Sequence, residues 1–234
     1  MSVFSFHQAP ITSLFWSTPT EGKRLLSADS DSSLCIWNPQ EPSTPLHRLT
    51  SNSGRFALPG GITTMTTNAS GSLALLGGAE EGALRIVNLT NGSFVGALVG
   101  GHAETASAEA VTWVDLKVGA GLWVSAATDG TVCAWEVSNG SLRWRADHTS
   151  EQEVKEEGTE DSAVSNLLLH PNKQWITSSC ADGTVRTWDV KSGKPVEEHS
   201  GHNSAVHGLA LSQDGKLVIS AGDDGIGRVH AFAT

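Results

Sequence analysis

The stretch "SSCADGTVRTWDVKSGK", residues 178 to 194, decides the fold. Thr184 to Trp188 alternate polar and apolar side chains, as a half-buried strand does. Asp182-Gly183 marks a tight turn before that strand and Ser192-Gly193 marks another after it. Nearly the same phrase returns as "SAATDGTVCAWEVSNGS" at 125–141, as "SADSDSSLCIWNP" at 27–39 and as "SAGDDGIGRVHAFAT" at 220–234. A unit copied this often is architecture, and function has to be sought in what the copies do not share.

Aligned on the acid of the turn, five registers stand at Asp31, Glu81, Asp129, Asp182 and Asp224, separated by 50, 48, 53 and 42 residues. That spacing is close to the period of roughly 40–45 residues of a four-stranded propeller blade, with loop insertions added. Within each unit an apolar strand such as Val206–Leu211 is followed by a turn (Gln213-Asp214-Gly215) and a second strand, Leu217–Ser220. The acid-bearing turn and a third strand follow, then a short fourth such as Phe94–Leu98 or Leu142–Ala146. No helical periodicity is sustained. The expected repeats run over about 7–39, 62–99, 101–148, 162–200 and 201–234, with an insertion at 149–161.

The sequence resembles the WD-repeat β-propeller family. The Gly-His pairs at 101–102 and 201–202, the Asp-Gly turns at 129–130, 182–183 and 224–225, and Trp188-Asp189 carry the resemblance. It implies an all-β chain of about five four-stranded blades. The last unit ends after its third strand, and "SVFSF" at 2–6 is a candidate outer strand for it, as in a closed ring. Because the family mostly uses seven or eight blades, the chain is expected to be the C-terminal portion of a larger propeller rather than a complete five-bladed ring.

His202, Ser220 and Asp224 invite a hydrolase reading, as do His7, Ser27 and Asp31. The set recurs with His102, Ser125 and Asp129, joined by Trp37 in the first unit and Trp135 in the third, whereas an enzyme needs one preorganised site. The resemblance implies instead a hydrogen-bonded chain from Trp through Ser and His to Asp inside a blade. Unit four, with Ser178, Asp182 and Trp188, lacks a histidine. Unit five has His230 in place of the tryptophan. Unit two has Glu81 for the acid, Val87 for the tryptophan and no histidine. Neither a phosphate loop nor a cluster with metal-ligand spacing stands in the sequence, so catalysis, metal and cofactor are all expected to be absent. Cys35, Cys133 and Cys180 read as reduced, strand-packed thiols of a cytoplasmic or nuclear protein.

The formal charge of −10 disfavours a phosphate-binding surface and favours a basic partner. No apolar run is long enough to span a bilayer, and the N-terminus has no leader-like pattern. The segment "TSEQEVKEEGTED", 149–161, sets Glu151, Glu153, Glu156, Glu157, Glu160 and Asp161 against Lys155 alone, which is half the formal charge. By topology it shares a rim with the turn residues Glu80, Glu81 and Asp223. The plain reading is a solvated loop; the functional one is an acidic mouth for a basic peptide.

Three further features narrow the resemblance: the degenerate "SGSLALLGGAEEGALRIVNLTNG", the acidic insertion before "SAVSNLLLHP", and the ending "GRVHAF". Together they are similar to the C-terminal half of the angio-associated migratory cell protein family, whose fungal relative is a ribosome-assembly chaperone. The resemblance implies an acidic face that captures a basic segment of a large-subunit ribosomal protein. A generic scaffold or ubiquitin-ligase adaptor of the same fold is the alternative.

Overall fold

The computed structural model describes residues 5–17, 23–41, 43–50, 56–117, 120–148 and 162–232. They form five antiparallel sheets in chain order, and no α-helix occurs among the described residues. The first sheet holds β1 (Ile11–Ser17), β2 (Arg24–Asp29), β3 (Leu34–Trp37) and β4 (His47–Leu49). The second holds β5 (Ile62–Thr67), β6 (Leu73–Gly78), β7 (Leu84–Asn88) and β8 (Ser93–Leu98). β9 (Ala108–Lys117), β10 (Ala120–Ala127), β11 (Thr131–Glu136) and β12 (Leu142–Asp147) make the third. β13 (Val164–Leu169), β14 (Trp175–Cys180), β15 (Val185–Asp189) and β16 (Pro195–His199) make the fourth. The fifth has three strands among the described residues, β17 (Val206–Leu211), β18 (Leu217–Gly222) and β19 (Gly227–Ala231).

Neighbouring sheets meet along their inner strands: β1 packs on β5, β5 on β9, β9 on β13 and β13 on β17. Stacking face to face explains the burial pattern. β3 is buried at all four positions and β14 at five of six, because both faces of these middle strands are covered. β8, on the outside, alternates exposed and covered residues. The apolar residues collect between the sheets, with Leu26, Leu34 and Ile36 packed against Leu58, Ile62 and Leu76 between the first two. At the two ends this cover runs out. Leu14 and Trp16 on β1 and Ile219 and Val229 in the fifth sheet are exposed, and β18 and β19 alternate as strands covered on one side do.

One irregularity is shared by all five sheets. Pairing of the inner strand with the second strand skips one residue near its start: Thr12, Thr63, Glu109, Ser165 and His207. Such a bulge turns the skipped side chain out of the normal alternation. At three of the five places the side chain is a hydroxyl that joins two sheets. Thr12 Oγ1 donates to the Ala28 and Ile62 carbonyls, Thr63 Oγ1 to those of Gly77 and Ala108. Ser165 Oγ donates to the Val206 carbonyl at 2.8 Å and lies 3.0 Å from Ser179 Oγ.

The outer strand expected at 2–6 falls mostly outside the described residues. Residues 1–4 lie outside the described residues, and Ser5 to His7 are not in a strand. The first unit is longer than the expected 7–39, since β4 at His47–Leu49 pairs with β3 and completes its sheet.

Candidate functional site

Strand direction fixes two rims. The turn between second and third strands, the start of each inner strand and the connection from one sheet to the next lie on one rim, called here the upper rim. Turns between first and second strands and between third and fourth strands lie on the lower rim.

On the upper rim polar side chains connect in the first, third and fifth sheets, and the fourth keeps part of such a set. In the third sheet Trp135 Nε1 donates to Ser125 Oγ at 2.9 Å, and Ser125 Oγ lies 2.7 Å from His102 Nε2. His102 Nδ1 lies 2.8 Å from Thr131 Oγ1, which donates to Asp129 Oδ1 at 2.7 Å. A carboxylate only accepts, so the protons run in one direction, from Trp to Ser to His to Thr to Asp. Burial works to raise the Asp129 pKa, yet the bonds from His102, Thr131 and the Ala103 amide hold it well below the usual carboxylate range. In the fifth sheet His202 bridges Ser220 Oγ at 2.8 Å and Asp224 at 3.0 Å, and His230 Nε2 meets Ser220 Oγ at 3.0 Å where a tryptophan stands elsewhere. The His202 hydrogen bond lowers the Asp224 pKa.

The first sheet corrects one assignment. His7 joins Ser27 Oγ and Asp29 Oδ2, each at 2.6 Å, and Trp37 Nε1 donates to Ser27 Oγ at 2.8 Å. The acid is therefore Asp29 and not Asp31. The turn closes on Asp29, whose Oδ1 accepts the amides of Asp31 and Ser33, and this leaves the Asp31 side chain exposed.

The fourth sheet corrects another, because it does have a histidine. His148 is fully buried, edge-on to Trp188 with ring centroids 5.8 Å apart. Trp188 Nε1 donates to Ser178 Oγ at 2.8 Å, and Asp182 Oδ1 accepts from the Thr184 hydroxyl at 2.6 Å. Arg186 Nη1 lies 3.2 Å from His148 Nδ1, and a guanidinium can only donate, so this nitrogen is the acceptor. Burial, and then the Arg186 charge, push the His148 pKa down to about 4. Sequence reasoning missed His148 because the insertion separates it from β13. Cys180 and Asp182 also present donor atoms close to His148, but the Arg186 cation beside Nδ1 opposes a metal ion there.

The second sheet has no such chain. Register sets Leu76 where the other sheets have the serine and Val87 where they have the tryptophan, both fully buried. Donor and acceptors are replaced together, so neither of these two positions keeps a polar side chain in need of a partner. The turn after β6 is one residue longer than its counterparts, with Gly77 paired to Leu84 where Ala126 pairs with Val132. Glu80 and Glu81 therefore share the place of Asp129, and buried Gly82 stands where Gly130 and Gly183 do. Gly183 occupies that position with a φ of 84°, and a Cβ there would collide with the His202 carbonyl. Glu81 has a φ of 63°, in the same left-handed region.

None of these serines is open to a substrate: Ser125, Ser178 and Ser220 are fully buried and Ser27 nearly so. The cysteines are buried and form no disulfide among the described residues, with burial pushing Cys35 up to about 11 and Cys133 and Cys180 up to about 12.

Charge divides between the rims. Glu80, Glu81 and Asp223 are exposed in upper-rim turns, as are Asp31 and Glu104. Residues 149–161, with all six of their expected acidic contacts, lie outside the described residues. Their anchors at His148 and Ser162 are on the upper rim, where the His148 amide donates to the Gly130 carbonyl and Gly130 packs on Ser162. Every lysine among the described residues belongs to the lower rim: Lys23, Lys173 and Lys216 lie in turns between first and second strands, Lys191 and Lys194 between third and fourth, and Lys117 ends β9. Of the arginines at this height, Arg186 is buried and paired with Glu198 at 2.9 Å and Arg85 and Arg228 are partly buried, while Arg48 and Arg145 are exposed on the outer strands.

Repeated four-stranded sheets, pinned by Trp–Ser–His–acid chains at one rim, meet a family match. A model of the WD domain, G-beta repeat matches residues 1–38, 152–189 and 193–230. The chain carries WD40 repeats. An uncharacterized WD repeat-containing protein of Schizosaccharomyces pombe is 32% identical over 93% of this WD-repeat chain and 51% of its own length. The angio-associated migratory cell protein of Homo sapiens is 26% identical over 87% of this chain and 45% of its own. The chain thus spans about half the length of the curated relatives it matches. Among solved structures, Chaetomium thermophilum Sqt1 bound to the N-terminus of the ribosomal protein L10 superposes with a TM-score of 0.82 at 22% identity. That match covers 97% of this chain and 59% of Sqt1, and it is a likeness of fold, a WD-repeat β-propeller.

Proposed function

We propose that this WD-repeat chain belongs to a non-catalytic binding propeller that captures a basic segment of a large-subunit ribosomal protein on its upper rim, acting as a cytoplasmic chaperone in ribosome assembly. The distribution of charge carries the reading. Among the described residues the upper rim exposes Asp31, Glu80, Glu81, Glu104 and Asp223 with no lysine, whereas the lower rim mixes its lysines with exposed carboxylates such as Glu41 and Asp214. A rim of one sign attracts a partner of the other sign, speeds encounter and rejects acidic competitors. The Sqt1 complex supports the choice of ligand, since that fold neighbour holds the N-terminus of a ribosomal protein.

Binding of a peptide spanning the N-terminus of ribosomal protein L10 tests the proposal by calorimetry at low and high salt. Saturable binding that weakens steeply as salt rises supports it. Absence of binding, or an affinity indifferent to salt, contradicts it.

A further inference from the structure

We propose that the junction of the fourth and fifth sheets is a proton-sensitive hinge, in which charging the stacked rings of His199 and His230 loosens the fifth sheet from the rest of the chain. The inference stands apart from whatever binds the upper rim.

Four of the nine histidines gather at this one junction. His199, which ends β16, stacks on His230 of β19 with ring centroids 4.6 Å apart and planes inclined by 20°. Phe232 stands edge-on to His199 at 5.8 Å and to His170 at 4.6 Å, so a line of rings runs along the junction. His202 joins the set through Ser220, which it shares with His230. Apolar cover is thin by comparison. Val185, Val206, Val218 and Phe232 make up the buried cluster at this junction, against fourteen side chains in the cluster of the first two sheets.

Hydrogen bonding defines the uncharged state. Asp224 only accepts, so His202 Nδ1 carries a proton, His202 Nε2 accepts from Ser220 Oγ, and Ser220 Oγ accepts from His230 Nε2. An added proton on His230 therefore goes to Nδ1 and sets a cation against the His199 ring. His199 Nε2 and His170 Nδ1 are enclosed with no hydrogen-bond partner among the described residues, so a charged ring at either place leaves an N–H without an acceptor.

The surrounding charges favour neutral rings. Burial, and then the charges of His199, His202 and Arg228, hold the His230 pKa below its ordinary value, and burial lowers that of His170. Among the described residues no carboxylate pairs with either. Carboxylates do face the other two: Asp224 accepts from His202, and Glu197 Oε1 lies 3.8 Å from His199 Nε2, too far for a hydrogen bond. The remaining charged groups nearby are engaged elsewhere: Arg186 with Glu198, Lys173 with Asp115, His207 with Asp223, and Asp214 with the Ser212 hydroxyl and the Lys216 amide. Lys216 itself is exposed. Histidines lowered in this way add stability that is complete above about 6.5, the unfolded value, and is lost as pH falls toward the folded value. The junction therefore holds at neutral pH, and acid turns the stack into two cations in contact.

Hydrogen exchange of the full chain at about pH 7 and about pH 5.5, corrected for the intrinsic rate of each amide, reads the fifth sheet separately from the others. On acidification the amides of β17 to β19 are expected to lose about ten-fold more protection than those of β5 to β8. His230→Trp restores the tryptophan that donates to the serine in the first, third and fourth sheets, and His199→Phe keeps a ring in the stack without a titrating group. Either variant is expected to cut the extra loss to about three-fold or less, while His207→Gln, outside the stack, keeps the parental loss. Equal losses in the second and fifth sheets of the parent overturn the proposal. So does an extra loss that stays at the parental size in both stack variants, since acid would then be acting somewhere other than the stacked pair.

Discussion

The two rims are made by the same kind of short turn, yet their aspartates do different work. Asp129 on the upper rim is largely buried and gathers bonds from Thr131, the Ala103 amide and the His102 side of the sheet. Asp214 on the lower rim is exposed and holds only its own turn, through Ser212 Oγ at 2.6 Å and the Lys216 amide at 3.1 Å. An upper-rim turn therefore ties its own hairpin to the incoming connection, while a lower-rim turn closes one hairpin only. The upper rim is rigid where its side chains point inward, and this leaves the outward residues free to vary between repeats.

The sharpest break of that comparison lies in the second sheet, where Leu76 and Val87 replace the polar chain with apolar contact. Leu76→Ser puts a hydroxyl at the serine position without a tryptophan or histidine to meet it. A loss of about 3–5 kcal/mol is expected, from the lost packing and the unpaired hydroxyl together. Chemical denaturation checks it, and a loss under ~1 kcal/mol would show that the second sheet tolerates polarity as the others do.

Asp129→Ala comes next, at about 2–3 kcal/mol, because His102 and Thr131 lose a charged acceptor. Its lower-rim counterpart Asp214→Ala is expected to leave the melting temperature within about 2 °C of the parent. Equal effects at the two positions would erase the distinction between the rims.

Acid provides a third test. His148 is held down to about 4 by burial and by Arg186, against about 6.5 in an unfolded chain. Between those values the unfolded chain takes up a proton that the folded chain refuses, so stability falls as pH is lowered from about 6.5 toward 4. Urea unfolding at pH 7 and pH 5 measures the fall, and His148→Leu is expected to shrink it. The smallest effect separates two neighbours. Asp29→Ala is expected to lower the melting temperature clearly while Asp31→Ala leaves it unchanged, and the opposite order would restore the acid expected from repeat spacing.

The sheets were legible because alternation and Asp-Gly turns act locally: Asp182-Gly183 before Thr184–Trp188 announces β15 without help from the rest of the chain. The polar chains were legible where spacing is regular, as for Ser125, Asp129 and Trp135. They were misread where one turn closes differently, as at Asp29, or where a side chain is cut off from its sheet by an insertion, as at His148. The inner-strand bulge could not be seen in advance. A single skipped residue leaves the composition of a strand untouched and shows only when its partner strand is laid beside it.

The measurement closest to the central claim neutralises each rim in turn and titrates the same basic peptide. Glu80→Gln, Glu81→Gln and Asp223→Asn combined are set against Lys173→Gln, Lys191→Gln and Lys194→Gln combined. The account predicts at least about ten-fold weaker binding and a flatter salt dependence for the first protein, and parental binding for the second. Equal weakening in both, or loss confined to the lysine variant, would contradict it.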